Sequence, residues 1–177
     1  MATWNSRGLR GSMLEQMLNY TNEKYREEKL ALVNKIPTPI TPIKIDKESR
    51  HITLAYFEEK STVDYIGLVQ GYPICFDAKE CASDRFSLQN IHSHQIQYMT
   101  EYEEQGGIAF FLIYFKKHNR FYYLTLREAH YYVDRIKEGG QKHIKYEDLD
   151  EEFFIPFEHN VYINYLKILQ KDIALRK

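Results

Sequence analysis

The order of the segments predicted from the sequence indicates a mixed α/β fold, with one central sheet flanked by helices. Two β-rich runs flank a probable two-residue turn at Gln70-Gly71, which predicts a hairpin. The continuous apolar run at residues 108–114 is typical of a strand buried on both faces. Segments with apolar residues at helical spacing precede and follow these strands. With 177 residues, 44% of them hydrophobic, the chain can form a sizeable core, and we expect a single domain over residues 1–177.

The first third of the chain begins with a polar, glycine-containing segment, residues 1–11, which we expect to be flexible. Ser12 and Glu15 have the spacing of a capping box, which predicts a helix over residues 12–28. A short strand follows at 30–36. Three prolines within residues 37–42 exclude a helix there, and a second extended run ends at residue 57. We therefore predict that residues 37–57 form either a protruding two-stranded arm or a long loop.

The remaining two thirds alternate between strands and helices. The predicted elements are a hairpin at 62–79, a loop at 86–90, a helix at 91–105, strands at 108–114 and 120–126, a helix at 127–137, an irregular stretch at 141–159 and a C-terminal helix at 160–175. The helices at 91–105 and 127–137 are each followed by a Gly-Gly pair, which is a typical helix stop.

The hairpin contains the most informative side chains. A turn at Gln70-Gly71 places Asp64 opposite Asp77 and Thr62 opposite Lys79, and all four on one face of the sheet. Opposed β-carbons lie roughly 4.5–5.5 Å apart, where like charges are destabilising. A divalent cation with oxygen ligands would compensate the two carboxylates. The pattern Asp, then Asp-Ala-Lys, therefore predicts a nuclease-type site.

A less specific interpretation must be weighed against this one. Charged residues on an exposed strand usually serve solubility and edge protection, and acid-x-Lys triplets are common by chance. However, Ile74, Cys75 and Phe76 make the second strand of the hairpin look buried. A charge within a buried strand requires a partner or a function.

The composition limits the alternatives. A net charge of −1 does not by itself indicate nucleic-acid binding, and the basic residues of the first fifty positions are mixed with acids. No apolar run approaches the roughly 18 residues needed to cross a bilayer. Cys75 and Cys81 are too few for a disulfide framework, and with His92 and His94 they do not match usual zinc spacings. We expect a cytoplasmic protein with free thiols and no membrane partner.

These residues, in this order, resemble the RecU family of Holliday-junction resolvases, from about residue 5 to residue 169. The matching segments are Arg7-Gly8, Leu14-Glu15, Tyr20-Thr21-Asn22, Lys35-Ile36-Pro37-Thr38-Pro39, Ser61-Thr62-x-Asp64-Tyr65-x-Gly67, Phe76-x-Ala78-Lys79-Glu80 and Leu88-Gln89-Asn90-Ile91-His92-x-His94-Gln95. The resemblance implies a restriction-endonuclease-like core, in which residues 37–57 form a stalk that enters the open centre of a four-way junction.

The resemblance also implies roles for individual residues. Asp64 and Asp77 would hold the metal, and the Ala78 carbonyl, Thr62 and Gln95 would complete or orient its shell. Lys79 would contact the attacked phosphate or help to generate hydroxide. Asp77 departs from the family, which usually has Glu at this position. Asp is one methylene shorter and would shift the metal.

Glu15 resembles an acid that lies near the metal in related resolvases, although the capping box alone also explains it. Thr62 and Gln95 likewise have structural alternatives, as a strand residue and a solvated helix residue. His94 would lie near phosphate or be a surface histidine. The residues predicted to contact DNA are Arg7, Arg10, Lys35, Lys44, Lys47, Arg50 and His94.

The function implied is a structure-selective endonuclease that resolves four-way junctions by paired symmetric nicks in recombination and repair. It would act in the nucleoid as a homodimer. Its metal would be Mg²⁺, for which Mn²⁺ would substitute. A recombinase or a branch-migration helicase would be a further partner. One alternative is a related nuclease that acts on duplex or flap DNA. Another is a non-catalytic, DNA-architectural recombination protein. Cleavage of a junction but not of its component duplex would favour the first interpretation.

Overall fold

The computed structural model describes residues 13–57, 62–157 and 163–176. The predictions for the flexible segment 1–11, for Ser12 as a helix cap, and for Arg7 and Arg10 as DNA contacts therefore lie outside the described residues. The helices are α1 (Met13–Glu27), α2 (Ser93–Glu104), α3 (Leu126–Lys137) and α4 (Tyr165–Leu175). The strands are β1 (Leu32–Lys35), β2 (Ile40–Ile45), β3 (Ile52–Phe57), β4 (Tyr65–Val69), β5 (Tyr72–Cys81), β6 (Arg85–Ser87), β7 (Ile108–Phe115), β8 (Arg120–Thr125), β9 (His143–Lys145) and β10 (Phe154–Ile155).

A six-stranded sheet in the order β1-β4-β5-β7-β8-β10 forms the centre of the molecule. Strands β5 and β7 are parallel, and the other neighbouring pairs are antiparallel, so that the sheet is mixed. Helices α1 and α4 pack on one face, and α2 and α3 on the other. The mixed α/β architecture predicted from the sequence is confirmed.

A row of stacked aromatic rings crosses the sheet beneath α1 and α4. Ring centroids lie 4.7 Å apart between Tyr65 and Phe76, 4.9 Å between Phe76 and Phe110, and 4.2 Å between Phe110 and Tyr123. Tyr165 of α4 packs on the same row, and all five side chains are fully buried. Because side chains alternate along a strand, a one-residue slip would move the aromatic side chains of that strand to the opposite face, beneath α2 and α3. The aromatic row therefore fixes the register of the strands that carry the site.

The hairpin of β4 and β5 has the predicted turn and register. Gln70 and Gly71 both have positive φ, 46° and 94°, as two-residue hairpin turns require. The ladder runs from Val69 opposite Tyr72 to Tyr65 opposite Phe76. The ladder then ends, so that the predicted pairing of Thr62 with Lys79 is wrong. Thr62 lies in an exposed bend before β4 begins.

Strands β2 and β3 form a separate two-stranded antiparallel sheet, which we call the arm. Of the two predicted alternatives, the structure shows the two-stranded arm and not the long loop. Its register shifts between Pro42 and Lys44 and again between Lys44 and Ile45. Within the described residues, the arm does not join the central sheet.

Two segments predicted to lack regular structure contain short strands. Residues 86–90 were expected to form a loop, but β6 pairs there with β9, followed by a short 3₁₀ turn at Leu88–Asn90. The stretch 141–159 contains β9 and also β10, which is the last strand of the central sheet. Strands of two or three residues are too short to show alternation, and the partner of β6 is more than fifty residues away in sequence. The C-terminal helix begins at Tyr165 rather than at residue 160, since Ile163 and Asn164 are not helical.

None of the helices in the described ranges is long and apolar enough to cross a membrane.

Candidate active site

The site lies where the ladder between β4 and β5 ends. Asp64 directly precedes β4, and Asp77 and Lys79 lie on β5. The backbone N–H of Ala78 donates a 3.0 Å hydrogen bond to Asp64 Oδ2, which holds this carboxylate against β5. The ladder ends at Tyr65 and Phe76, the residues next to Asp64 and Asp77. The two carboxylates are close enough for the charge of Asp64 to act on the pKa of Asp77.

Asp77 is a buried carboxylate with an incompletely satisfied oxygen. Its side chain is 1% exposed, and Lys79 Nζ lies 2.6 Å from Oδ1. This contact is an ion pair without hydrogen-bond geometry, and Oδ1 accepts no hydrogen bond from the described residues. Burial, and then the charge of Asp64, raise the pKa of Asp77 to about 7, although Lys79 acts in the opposite direction. The predicted conflict between the two carboxylates is therefore present in the structure.

Gln95 reaches the site from the first turn of α2. Its side-chain nitrogen Nε2 donates a short hydrogen bond to Asp77 Oδ2. Its oxygen Oε1 accepts a 3.3 Å hydrogen bond from the backbone N–H of His92. The amide is thus held with its NH₂ group towards Asp77, an orientation assigned from these two partners. The sequence identified Gln95 but could not give the direction of its amide.

Glu15 forms an ion pair with Lys35, so that a predicted catalytic residue and a predicted DNA contact lie together. Its charge adds to that of Asp64 and Asp77 in raising the pKa of Tyr65, which burial raises most. Glu15, Asp64 and Asp77 are thus all near enough to Tyr65 to act on its hydroxyl, although α1 and α2 lie on opposite faces of the sheet. In the part of the chain that the structure describes, however, no three His, Cys, Asp or Glu residues are grouped closely enough to hold a metal ion.

The other predicted DNA contacts fall into two places. Lys44, Lys47 and Arg50 are exposed on the arm. His94 lies beside Gln95 at the start of α2, and its ring stacks on that of His92 with centroids 5.4 Å apart. The structure thus places His94 next to Gln95 in the chain, Lys44 on β2 of the separate sheet, and Lys47 and Arg50 in the turn between β2 and β3.

The donors present fit a hard divalent cation. Carboxylate oxygens are the preferred ligands of Mg²⁺, and Asp77 Oδ1 is a buried oxygen that accepts no hydrogen bond from the described residues. Soft ligands are not offered, because burial raises the pKa of the Cys75 thiol to about 12. Asp64 and Asp77 are therefore the residues that would hold a cation, with Lys79 beside them for an anionic group.

A mixed sheet with two carboxylates and a lysine at the end of a hairpin is the arrangement expected of a nuclease. The family model "RecU: Recombination protein U" matches residues 9–171, and the chain belongs to this family. The resemblance stated from the sequence motifs is thereby confirmed.

Several similar proteins carry the name Holliday junction resolvase RecU. The protein of Limosilactobacillus reuteri is 38% identical over 172 residues, which cover 94% of this chain and 84% of that protein. The protein of Pediococcus pentosaceus is 39% identical over 171 residues, covering 94% and 85%. The protein of Oceanobacillus iheyensis is 37% identical over 167 residues, covering 92% and 85%. Among solved structures, Hjc of Archaeoglobus fulgidus, a Holliday junction resolvase, covers 62% of this chain and 77% of its own, with 6% identity and a TM-score of 0.38.

Proposed function

We propose that this chain is a Mg²⁺-dependent endonuclease that resolves four-way DNA junctions by paired, symmetric nicks. The single observation that carries the proposal is Asp77, a buried carboxylate beside both Asp64 and Lys79. The names of its relatives supply the substrate class. Mn²⁺ is expected to replace Mg²⁺, since both prefer oxygen ligands.

In this proposal Asp64 and Asp77 would hold the cation, and the cation would supply Lewis-acid chemistry at the attacked phosphate. Lys79 lies beside Asp77 and neutralises negative charge on the attacked phosphate. Gln95 holds the Asp77 carboxylate in place through the hydrogen bond from Nε2. Ala78 fixes Asp64 through its backbone N–H.

Junction selectivity is assigned to the arm and to a second copy of the chain. Resolution requires matching cuts in two opposed strands, which a two-fold homodimer with two active sites supplies. The exposed arm, with Lys44, Lys47 and Arg50, is the element that would enter the open centre of a junction. A recombinase or branch-migration helicase would deliver the junction, and the site of action would be the nucleoid.

Cleavage of a synthetic junction and of its component duplex, in Mg²⁺, in Mn²⁺ and in EDTA, tests the proposal. We expect cuts in two opposed strands of the junction with either metal, no cuts in EDTA and little cleavage of the duplex. Ligation of the products would confirm that the two nicks are symmetric. Equal cleavage of junction and duplex would instead identify a general duplex nuclease. Metal-independent binding without any cutting would identify a DNA-architectural protein.

A further inference from the structure

The two-stranded ribbon formed by β6 and β9 lies next to the active site in the chain path. Strand β5, which carries Asp77 and Lys79, leads into β6, and the 3₁₀ turn after β6 leads to α2 and Gln95. The backbone N–H of Tyr146 donates a 2.8 Å hydrogen bond to the carbonyl of Asp84, which closes this end of the ribbon. The ribbon therefore lies, in chain order, between the two elements that carry site residues.

The ribbon pairs two cations directly. Arg85 on β6 is the register partner of Lys145 on β9. Like charges opposite one another in an antiparallel pair are destabilising. Lys145 has Glu147 as an ion-pair partner at 3.1 Å. The Arg85 guanidinium, by contrast, has no ion-pair or hydrogen-bond partner among residues 13–57, 62–157 and 163–176.

These cations line a cleft of about 360 Å³ that also receives the turn between β7 and β8. Lys117 of this turn pairs with Asp84, and His118 Nε2 lies 2.5 Å from Asp84 Oδ1. The turn is fixed to the end of β5 by a 2.9 Å hydrogen bond from the Lys116 N–H to the Cys81 carbonyl. The cleft is thus a defined concavity built from three segments that backbone hydrogen bonds hold together.

The two acidic side chains of the cleft, Asp84 and Glu147, compete only weakly with a phosphate for the basic side chains. The side chains of Asp84 and Glu147 are 47% and 74% exposed. Exposed ion pairs contribute only about 0–1 kcal/mol each. Arginine and lysine make charge-assisted hydrogen bonds to phosphate oxygens as they do to carboxylates. A phosphate can therefore replace either acid at little cost.

The cleft lies within a few nucleotide lengths of the active site, as the length of chain between them requires. Asp84 is five residues from Lys79, and a chain spans at most about 3.3–3.6 Å per residue, so that their Cα atoms lie within roughly 18 Å. One DNA strand presents a phosphate about every 3.4 Å along the helix axis. The cleft is hence within about five nucleotides of the phosphate at Lys79.

We propose that Arg85, Lys117 and Lys145 form a phosphate-binding cleft for the backbone of the duplex arm next to the cleaved strand. Asp84 and Glu147 are its internal counter-ions and are displaced when DNA binds. The inference rests on the proposed function for the identity of the ligand. Because a backbone contact is present in any duplex, the cleft contributes to duplex and junction binding alike.

The test is the salt dependence of DNA binding in EDTA, where no cleavage occurs. The double variant Arg85→Gln/Lys145→Gln is compared with the wild type on a junction and on a duplex. The plot of log K against log salt concentration has a negative slope, and each lost phosphate contact makes it less steep by about 0.9. We expect a slope smaller by roughly 1.8 for both DNAs, with at least tenfold weaker binding at low salt. The matched control Lys24→Gln/Lys137→Gln removes the same charge from local ion pairs on α1 and α3 and should leave the slope unchanged.

A second variant keeps the test valid if the double variant folds poorly. Glu147→Gln removes a highly exposed acid and should tighten binding of both DNAs several-fold, because a competitor of phosphate is lost. Three outcomes would overturn the proposal. They are an unchanged slope in the double variant, an equal reduction of the slope in the control variant, and weaker DNA binding by Glu147→Gln. Failure of the wild type to bind either DNA would overturn it as well. Wild-type binding with the expected slope change, but without cleavage in Mg²⁺, would reject the proposed function and retain the cleft.

Discussion

The hairpin of β4 and β5 and the arm of β2 and β3 both reverse the usual distribution of polar and apolar side chains, but in opposite directions. The hairpin buries charge, since Asp77 is 1% exposed within a six-stranded sheet. The arm exposes apolar groups, since Ile43, Ile45 and Tyr56 are 57%, 56% and 52% exposed. In the proposed function each region has its own partner, a cation at the hairpin and junction DNA at the arm.

The two regions differ in how firmly the fold holds them. The hairpin pairs with neighbouring strands on both sides, and the row of stacked aromatic rings lies beneath it. The arm pairs only with itself in the described residues, and isolated two-stranded ribbons are marginally stable in water. Under the proposed function, catalysis therefore lies on a hairpin that is paired on both sides, whereas junction recognition lies on a ribbon that pairs only with itself in the described residues.

The largest expected effect is on cleavage by the variant Asp77→Asn. The change removes one ligand charge and retains the shape of the side chain. We expect junction cleavage to fall at least about a thousandfold, or roughly 4 kcal/mol in barrier. Junction binding should persist or tighten, because one carboxylate no longer repels phosphate. Cleavage near the wild-type rate would show that the site has been placed wrongly.

A smaller effect is expected from shortening the arm. Replacement of residues 39–48 by a short Gly-Ser turn removes β2 and should leave the melting temperature and duplex binding nearly unchanged. Junction affinity should fall at least tenfold, roughly 1.4 kcal/mol, because only a junction has an open centre. An equal loss for duplex would make the arm a general phosphate contact. A collapse of stability would place it within the core.

The smallest expected effect is on the stability of the metal-free protein. The pKa of Asp77, about 7, lies above its ordinary value of 3.8, so that the folded state binds more protons than the unfolded state between these values. Stability from this group therefore falls as pH rises through that window. The variant Asp77→Asn has no such loss of stability. In EDTA, the melting temperature of the variant minus that of the wild type should therefore increase as pH is raised from about 4.5 to 8. At roughly 1.4 kcal/mol per pKa unit and 2–4 °C per kcal/mol, a single unit of this shift already corresponds to a relative rise of about 3 °C, which is the smallest rise that supports the prediction. A constant difference across pH would show that Asp77 is not destabilised by burial.

Much of this architecture follows from local patterns in the sequence. The Gln70-Gly71 turn fixed the register that brings Asp64 and Asp77 together, and the apolar run of β7 indicated its burial. The contacts that the sequence missed are long-range. Pairing of β6 with β9 depends on distant residues and short strands, so that no periodicity signals it. The ion pair of Glu15 with Lys35 likewise depends on how α1 packs against β1.

The most direct test of the central claim is Mg²⁺ binding by the protein without DNA, measured by thermal melting and by proton release. For the wild type, Mg²⁺ at a hundredfold excess over its Kd should stabilise the fold by about 2.7 kcal/mol. It should also release a proton near pH 7, where Asp77 is partly protonated. Asp77→Asn should show neither effect. No Mg²⁺-dependent shift in the wild type, or an equal shift in both proteins, would contradict the assignment of Asp64 and Asp77 as a cation site.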